Sequence, residues 1–275
     1  MQLPGGLWHN DERQRQFDFR PLTGNVELAL AEIAGSDGSL PSQVTAALSA
    51  TLGQVGGDVP TLSRVEALCV ADRQFLMRCL AIFLGMEDIW LTARCARCGK
   101  CFDFFIKQSE LPVKQAGESF PFASVETSAG LCRMRVPNGA DQVAIAAIED
   151  SEVALQTLVH LCIVGFPDAS DGEGKPENLA KKFNADDLRR VEAALEEVAA
   201  EVTTMIQAVC PECEQANLVE INPYMCLQQG QTSLFSEIHI LASTYHWSET
   251  EILSMPKNRR QCYLKLIDRS RGMVQ

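Results

Sequence analysis

The sequence predicts an α+β protein, mainly α-helical, with a small zinc-ribbon β module split between two distant stretches. Three observations lead there. The apolar content reaches 46% and leans on Ala, Leu and Val, while aromatics stay at 7%, a mix that favours helices over a β-sandwich. Apolar residues recur at spacings of three and four over several long stretches. Two Cys-x-x-Cys pairs, Cys95 with Cys98 and Cys210 with Cys213, are each followed by an apolar strand-like run, at 102–106 and 218–221. At that spacing one tight turn aims two sulfurs at one metal ion. Such a turn leading into a strand, used twice, is the plan of a zinc ribbon.

The first 24 residues, punctuated by Pro4, Gly5, Gly6, Pro21 and Gly24, read as irregular, with a short strand possible at Phe17 and Phe19. Residues 27–33 fit a helix broken by glycines at 35 and 38. A second spans 41–52, with Pro41 near its first position and Gly53 at its end. Asp72 is a candidate N-cap for the most apolar helix, whose Phe75, Leu76, Cys79, Leu80, Phe83 and Leu84 share helical spacing before Gly85. Residues 131–136 alternate as a strand. Asp141 and Ser151 are candidate caps for the next two helices, the second carrying Leu155, Leu158, Val159, Cys162 and Ile163 on one side and ending at Gly165. Residues 167–178 form a polar linker. Asn184 and Asp187 resemble a capping signature. Leu188, Val191, Leu195, Val198, Val202 and Met205 then make a stripe that fits either core packing or a partner-binding seam. Leu234, Ile238, Leu241 and Tyr245 share a face, 248–251 read as a capping box, and a last helix follows Pro256. The expected organisation is a helical region at 1–90, the first half of the ribbon at 91–136, a helical insertion at 137–208, the second half of the ribbon at 209–222 and a helical tail at 223–275.

The net charge of -12 argues against loose binding to nucleic acid or an anionic membrane, because phosphates attract clustered Lys and Arg. The basic residues near the C-terminus, Lys257, Arg259, Arg260, Lys265, Arg269 and Arg271, read as a solvated helix face or as a contact for an acidic partner. No apolar run approaches the ~20 residues that span a bilayer, so no membrane insertion is expected. The opening residues lack the basic start and apolar core of a signal peptide. With 11 cysteines, several set in apolar helical patterns (Cys69, Cys79, Cys162, Cys262), the chain reads as belonging to a reducing cytoplasm rather than as a disulfide framework.

One zinc per chain held by Cys95, Cys98, Cys210 and Cys213 would fill its tetrahedral shell and close residues 99–209 into an excursion; such a site is structural. Cys101, three after Cys98, competes as a ligand, while Cys226 lies too far along for the same turn. Gly99 suits the turn after the first pair, where the second pair has Glu214. Two other readings stay open here: thiols merely buried and reduced, or a redox Cys-x-x-Cys. The four histidines, His9, His160, His239 and His246, form no ligand pattern, and the acidic pairs Asp186-Asp187 and Glu196-Glu197 read as solvent-facing. No HExxH, P-loop, GxGxxG or GxSxG motif occurs, so no catalytic residue and no small-molecule substrate is expected.

Three stretches together resemble one family. They are Leu3-Pro4-Gly5-Gly6-Leu7 with residues 19–24; Ala71-Asp72-Arg73 before the apolar helix, with Gly85 and the first Cys pair; and the second Cys pair with Glu237-Ile238-His239, residues 245–256, Arg259, Arg260, Tyr263 and Leu264. Residues 136–141 fit the family's middle segment. The chain is similar to the zinc-ribbon relatives of the T-even phage baseplate hub subunit, encoded with phage tails and extracellular contractile injection systems. The resemblance covers nearly the whole chain, and its most specific part is the tryptophan turn, short helix and proline of the tail. It implies a structural or assembly role in a baseplate, with hub, spike or tape-measure proteins as partners, in the cytoplasm during assembly or within a released particle. Trp247, Arg259, Arg260 and Tyr263 are the candidate partner contacts. The alternative is a nucleic-acid-binding or regulatory zinc ribbon.

Overall fold

The chain begins with strands, not with the irregular segment its glycines and prolines suggest. In the computed structural model, which describes residues 1–9, 12–166, 183–227, 232–270 and 272, β1 (Gln2–His9) pairs antiparallel with β2 (Glu12–Phe19), and β2 with β3 (Leu52–Val55). The polar linker and Arg271 lie outside the described residues. Helices α1 (Gly24–Ala34), α2 (Leu40–Thr51), α3 (Leu62–Glu66) and α4 (Val70–Phe83) surround this sheet. Their shared core includes Leu3, Phe17, Leu48, Leu52, Leu76 and Leu80, all removed from solvent.

The Pro-Gly-Gly run works inside β1. The register slips between Gln2 and Leu7, a bulge that turns two backbone N–H groups off the ladder. Gly5 and Gly6 donate them to the two carboxylate oxygens of buried Asp72, each at 2.7 Å. A Cβ on Gly5 would stand 2.6 Å from Asp72 Oδ2, so only glycine fits. Asp72 is thus a receptor for the N-terminal strand. The N-cap of α4 is Cys69, whose sulfur accepts from the Asp72 N–H.

Two hairpins extend this core. One is β4 (Asp88–Arg94) with β5 (Cys101–Lys107); the other is β11 (Met205–Val209) with β12 (Ala216–Glu220). Between them the short strands β6 (Val113–Lys114) and β10 (Glu201–Val202) pair. A further antiparallel sheet has the order β7 (Phe122–Thr127), β8 (Gly130–Arg135), β9 (Ile163–Gly165). It is flanked by α6 (Ser151–Cys162) and α7 (Ala185–Val198), while α5 (Gly139–Ile145) packs against α6 and the helices of the N-terminal core. The residues expected to close α6 therefore form a strand, and the stripe expected to run on to Met205 leaves the helix after Val198.

The chain is not mainly helical. The described residues are about 46% helix and 28% strand, with several small antiparallel sheets, so the mixed α+β class stands and its helical emphasis does not. The reason lies in strand length and composition. Segments such as Leu52–Val55, Val113–Lys114 and Glu201–Val202 are too short to show a period of two, and β1 is interrupted by its own bulge.

Helix starts are more legible. Asn184 with Asp187, and Ser248 with Glu251, form reciprocal capping boxes. Asp141 completes a third box at the third helical position, with Asn138 as the cap, and Asp150 rather than Ser151 caps α6. Asp187 also departs from the solvent-facing expectation. Its buried carboxylate accepts from Ser128 N (2.9 Å), Ser128 Oγ (2.6 Å), Asn184 N (3.0 Å) and Arg190 (2.7 Å). Burial alone would raise its pKa, but these donors outweigh it and hold the carboxyl at about 2. Because the folded value lies below the unfolded one, the stabilisation is full above about pH 4 and is lost as pH falls toward 2. Thermal melts of Asp187→Asn should therefore fall below wild type at pH 7, with the gap closing near pH 2.

Three helices complete the fold: α8 (Thr232–Tyr245), α9 (Glu249–Ser254) and α10 (Lys257–Ser270), packed around Leu241, Ile252 and Ile267. They are joined to the N-terminal core at one seam. Thr23 bridges Pro256, Gly24 N donates to Met255 O, and Lys257 N donates to Leu22 O at 2.9 Å. At this seam the fully buried Arg260 guanidinium bonds Glu27 on α1, Glu237 on α8 (3.2 Å) and the Met255 carbonyl (2.9 Å).

Candidate metal centre

Each ribbon hairpin ends in the same backbone turn. Cys95 N donates to Lys100 O and Gly99 N to Cys95 O; Cys210 N donates to Gln215 O and Glu214 N to Cys210 O, all at 2.9–3.0 Å. The residue after the second cysteine is left-handed in both, with φ 72° at Gly99 and 57° at Glu214. The missing glycine of the second turn is thus replaced in sequence but not in conformation. An L-residue held there costs about 1 kcal/mol, so Glu214→Gly should raise thermal stability by that order while leaving metal content unchanged.

The turns bring the four predicted cysteines together. The Sγ atoms of Cys95, Cys98, Cys210 and Cys213 all lie within 4.8 Å of one another, with Cys95–Cys213 at 3.5 Å and Cys98–Cys210 at 3.8 Å. Four sulfurs each about 2.3 Å from one ion stand about 3.8 Å apart in a regular tetrahedron. The cluster can therefore hold a metal ion with little rearrangement. Cys101 is not part of it. It opens β5 opposite Arg94 on the exposed outer face, whereas the next residue, Phe102, turns inward. Cys226 sits by the N-terminal core, its thiol directed at the Met77 carbonyl.

Asn217 was not singled out by the sequence, since it occupies an ordinary strand position. It is buried on β12; its Oδ1 accepts the Ala96 N–H at 2.9 Å, and its Nδ2 faces Cys95 Sγ at 3.8 Å and donates to Gln215 O. One side chain thus ties the two turns together and supports a sulfur from outside the ligand set. Lys100 and Glu212 pair across the tips at 2.7 Å. Beneath the sulfurs, Ala93, Phe102, Phe104, Ala208 and Val219 form a small apolar floor.

The charge state suits a cation. N–H groups, that of Cys98 foremost, lower the Cys95 thiol to about 6. The Gln215 N–H pulls Cys213 the same way, but desolvation and the three neighbouring thiols hold it up at about 12. Cys95 and Cys213 are thus pushed in opposite directions, and a divalent cation between them would favour the thiolate of both.

The candidate contact residues occupy two environments. Trp247 stacks on Tyr245 (4.6 Å between centroids) and meets Tyr263 edge-on at 4.8 Å, with Arg259 over the Tyr263 ring. Arg259 is exposed and both Trp247 and Tyr263 are partly so, whereas Arg260 is wholly enclosed in the seam. No helix among the described residues is long and apolar enough to cross a membrane. Comparisons with protein families, curated proteins and solved structures gave no match.

Proposed function

We propose that this chain is a non-catalytic assembly protein whose distant hairpins are clasped by one structural zinc ion. The observation that carries this reading is the four-sulfur cluster, spaced for a tetrahedral ion and braced from both turns by Asn217. An all-thiolate tetrahedral set selects zinc or iron, and a full shell leaves no position for substrate or water. The zinc then serves to fasten the two hairpin tips, while the stretch between them also docks on the N-terminal core through Phe120 and residues 137–139. The sequence resemblance supports a role in the baseplate or hub of a phage-like contractile tail or contractile injection system, through contacts with hub, spike or tape-measure proteins.

In this reading the partner meets the aromatic cluster of Trp247 and Tyr263 and the neighbouring Arg259, since Trp, Tyr and Arg dominate interface energetics. Arg260 supports that surface from behind. The test is Trp247→Ala and Arg259→Glu in a producing strain, with particles imaged and injection scored. Loss of assembled baseplates with soluble, folded variants supports the assignment; normal particles from both variants count against it. A second reading, a nucleic-acid-binding ribbon, draws on exposed Arg94, Arg97 and Lys100 at the first turn beside exposed Trp90 and Phe105. Against it stand the overall charge and the acidic second turn. A gel shift with single- and double-stranded probes that weakens with salt would favour it.

A further inference from the structure

Helices α6 and α7 lie on the same small sheet and leave a groove of about 350 Å³ between them. Its floor is closed by buried Met134, Cys162 and Val191. Burial pushes the Cys162 thiol up to about 12, as expected of a dry, apolar site. Leu155, Leu158, Leu188 and Leu195 form the walls, and Leu155 remains 48% exposed. Leu188, Val191 and Leu195 belong to the stripe that fits both a core and a seam. In the structure their buried side packs on the sheet, and the same residues line the groove.

The rim carries the information about an occupant. Glu192 and Glu196 line the groove, are exposed, and stand one helical turn apart, where like charges repel. Among the described residues neither makes an ion pair, and no Lys or Arg lines the groove. An apolar trough between two helices with an anionic rim matches one ligand chemistry: an amphipathic helix with apolar residues at i, i+3, i+4 and i+7 flanked by Lys or Arg. A fatty carboxylate would be repelled by the same rim. We propose that this groove seats a basic amphipathic helix of a partner protein. The surface shares no residue with the metal centre or the Trp247 cluster, so the proposal stands apart from the reading above.

The experiment uses the full chain and a fluorescein-labelled 14-residue peptide with Leu at i, i+3, i+4 and i+7 and Lys elsewhere. A second peptide has Glu in place of Lys, and laurate is the small-molecule probe. Saturable anisotropy with the Lys peptide alone is expected, with hydrogen-exchange protection confined to α6 and α7. Glu192→Lys with Glu196→Lys, on an exposed face, should weaken the Lys peptide about tenfold and admit the Glu peptide, each tenfold being about 1.4 kcal/mol. Leu155→Ser should also weaken it, while Glu32→Lys on α1 should change nothing. Three results overturn the proposal: no saturation, protection elsewhere, or affinity indifferent to the Glu192/Glu196 reversal. Laurate displacing the Lys peptide from the groove, and binding better than it, would overturn it in favour of a small-molecule cavity.

Discussion

Cys210→Ser is expected to release the metal and unfasten both ribbon hairpins. Thiolate ligation in small zinc modules contributes on the order of 10 kcal/mol, and little else holds this module. Its apolar floor is a handful of side chains, and an isolated two-stranded hairpin is marginal in water. Outer-face residues such as Trp90, 72% exposed, add little burial. Hydrogen exchange should show residues 88–107 and 205–220 losing protection together, although the substitution lies in only one of them. The N-terminal core around Leu3, Phe17 and Leu76 should keep its protection, because its packing does not involve the sulfurs. Cys101→Ser should leave metal and protection as they are. Loss of protection confined to residues 205–220 would show that the hairpins do not share an ion.

Arg260→Ala has the next largest expected effect, and its target is the seam between the N- and C-terminal helices. The buried guanidinium serves Glu27 and Glu237 at once, while Lys257 lies 3.5 Å from Glu27 and Gln261 bonds Glu237. Removing the arginine leaves two largely buried carboxylates facing each other, which costs about 3–5 kcal/mol. For a chain of this size that corresponds to a fall in Tm of roughly 10 °C. Arg260→Lys should recover only part of the loss, since an ammonium cannot present the planar fork. Arg260→Met combined with Glu27→Gln and Glu237→Gln should recover most of it, because no uncompensated charge is then buried. A normal melt for Arg260→Ala with failed assembly would instead place this residue at an intermolecular surface.

The four clustered cysteines were legible because a candidate metal site demands residue type and spacing that chance seldom supplies twice. Their support was not: Asn217 is one polar residue on a short strand, and its partners are 121 and 122 residues away. Capped helices were legible where the signal is local, as at Asn184 and Ser248. Strands of two to four residues were not, since their pairing is decided by neighbours distant in the chain.

Several glycine- and proline-bearing stretches far apart in sequence meet in space. Pro4-Gly5-Gly6 docks on Asp72, Thr23-Gly24 on Met255-Pro256, and Pro137-Asn138-Gly139 on Leu68-Cys69-Val70. Each is a junction where backbone approaches backbone or a buried carboxylate, so few residue types fit. Arg260 shows the converse error. Its place in a basic cluster suggested a surface, while the acids that enclose it, Glu27 and Glu237, are far away in sequence or on another helix.

X-ray absorption at the metal edge of protein purified without added metal tests the clasp most directly, together with elemental analysis of the same sample. One zinc per chain with a shell of four sulfurs near 2.3 Å is expected, lost in Cys95→Ser and in Cys210→Ser alike. A shell containing nitrogen or oxygen, or metal retained when either of those cysteines is replaced, would contradict a single ion held by both hairpins.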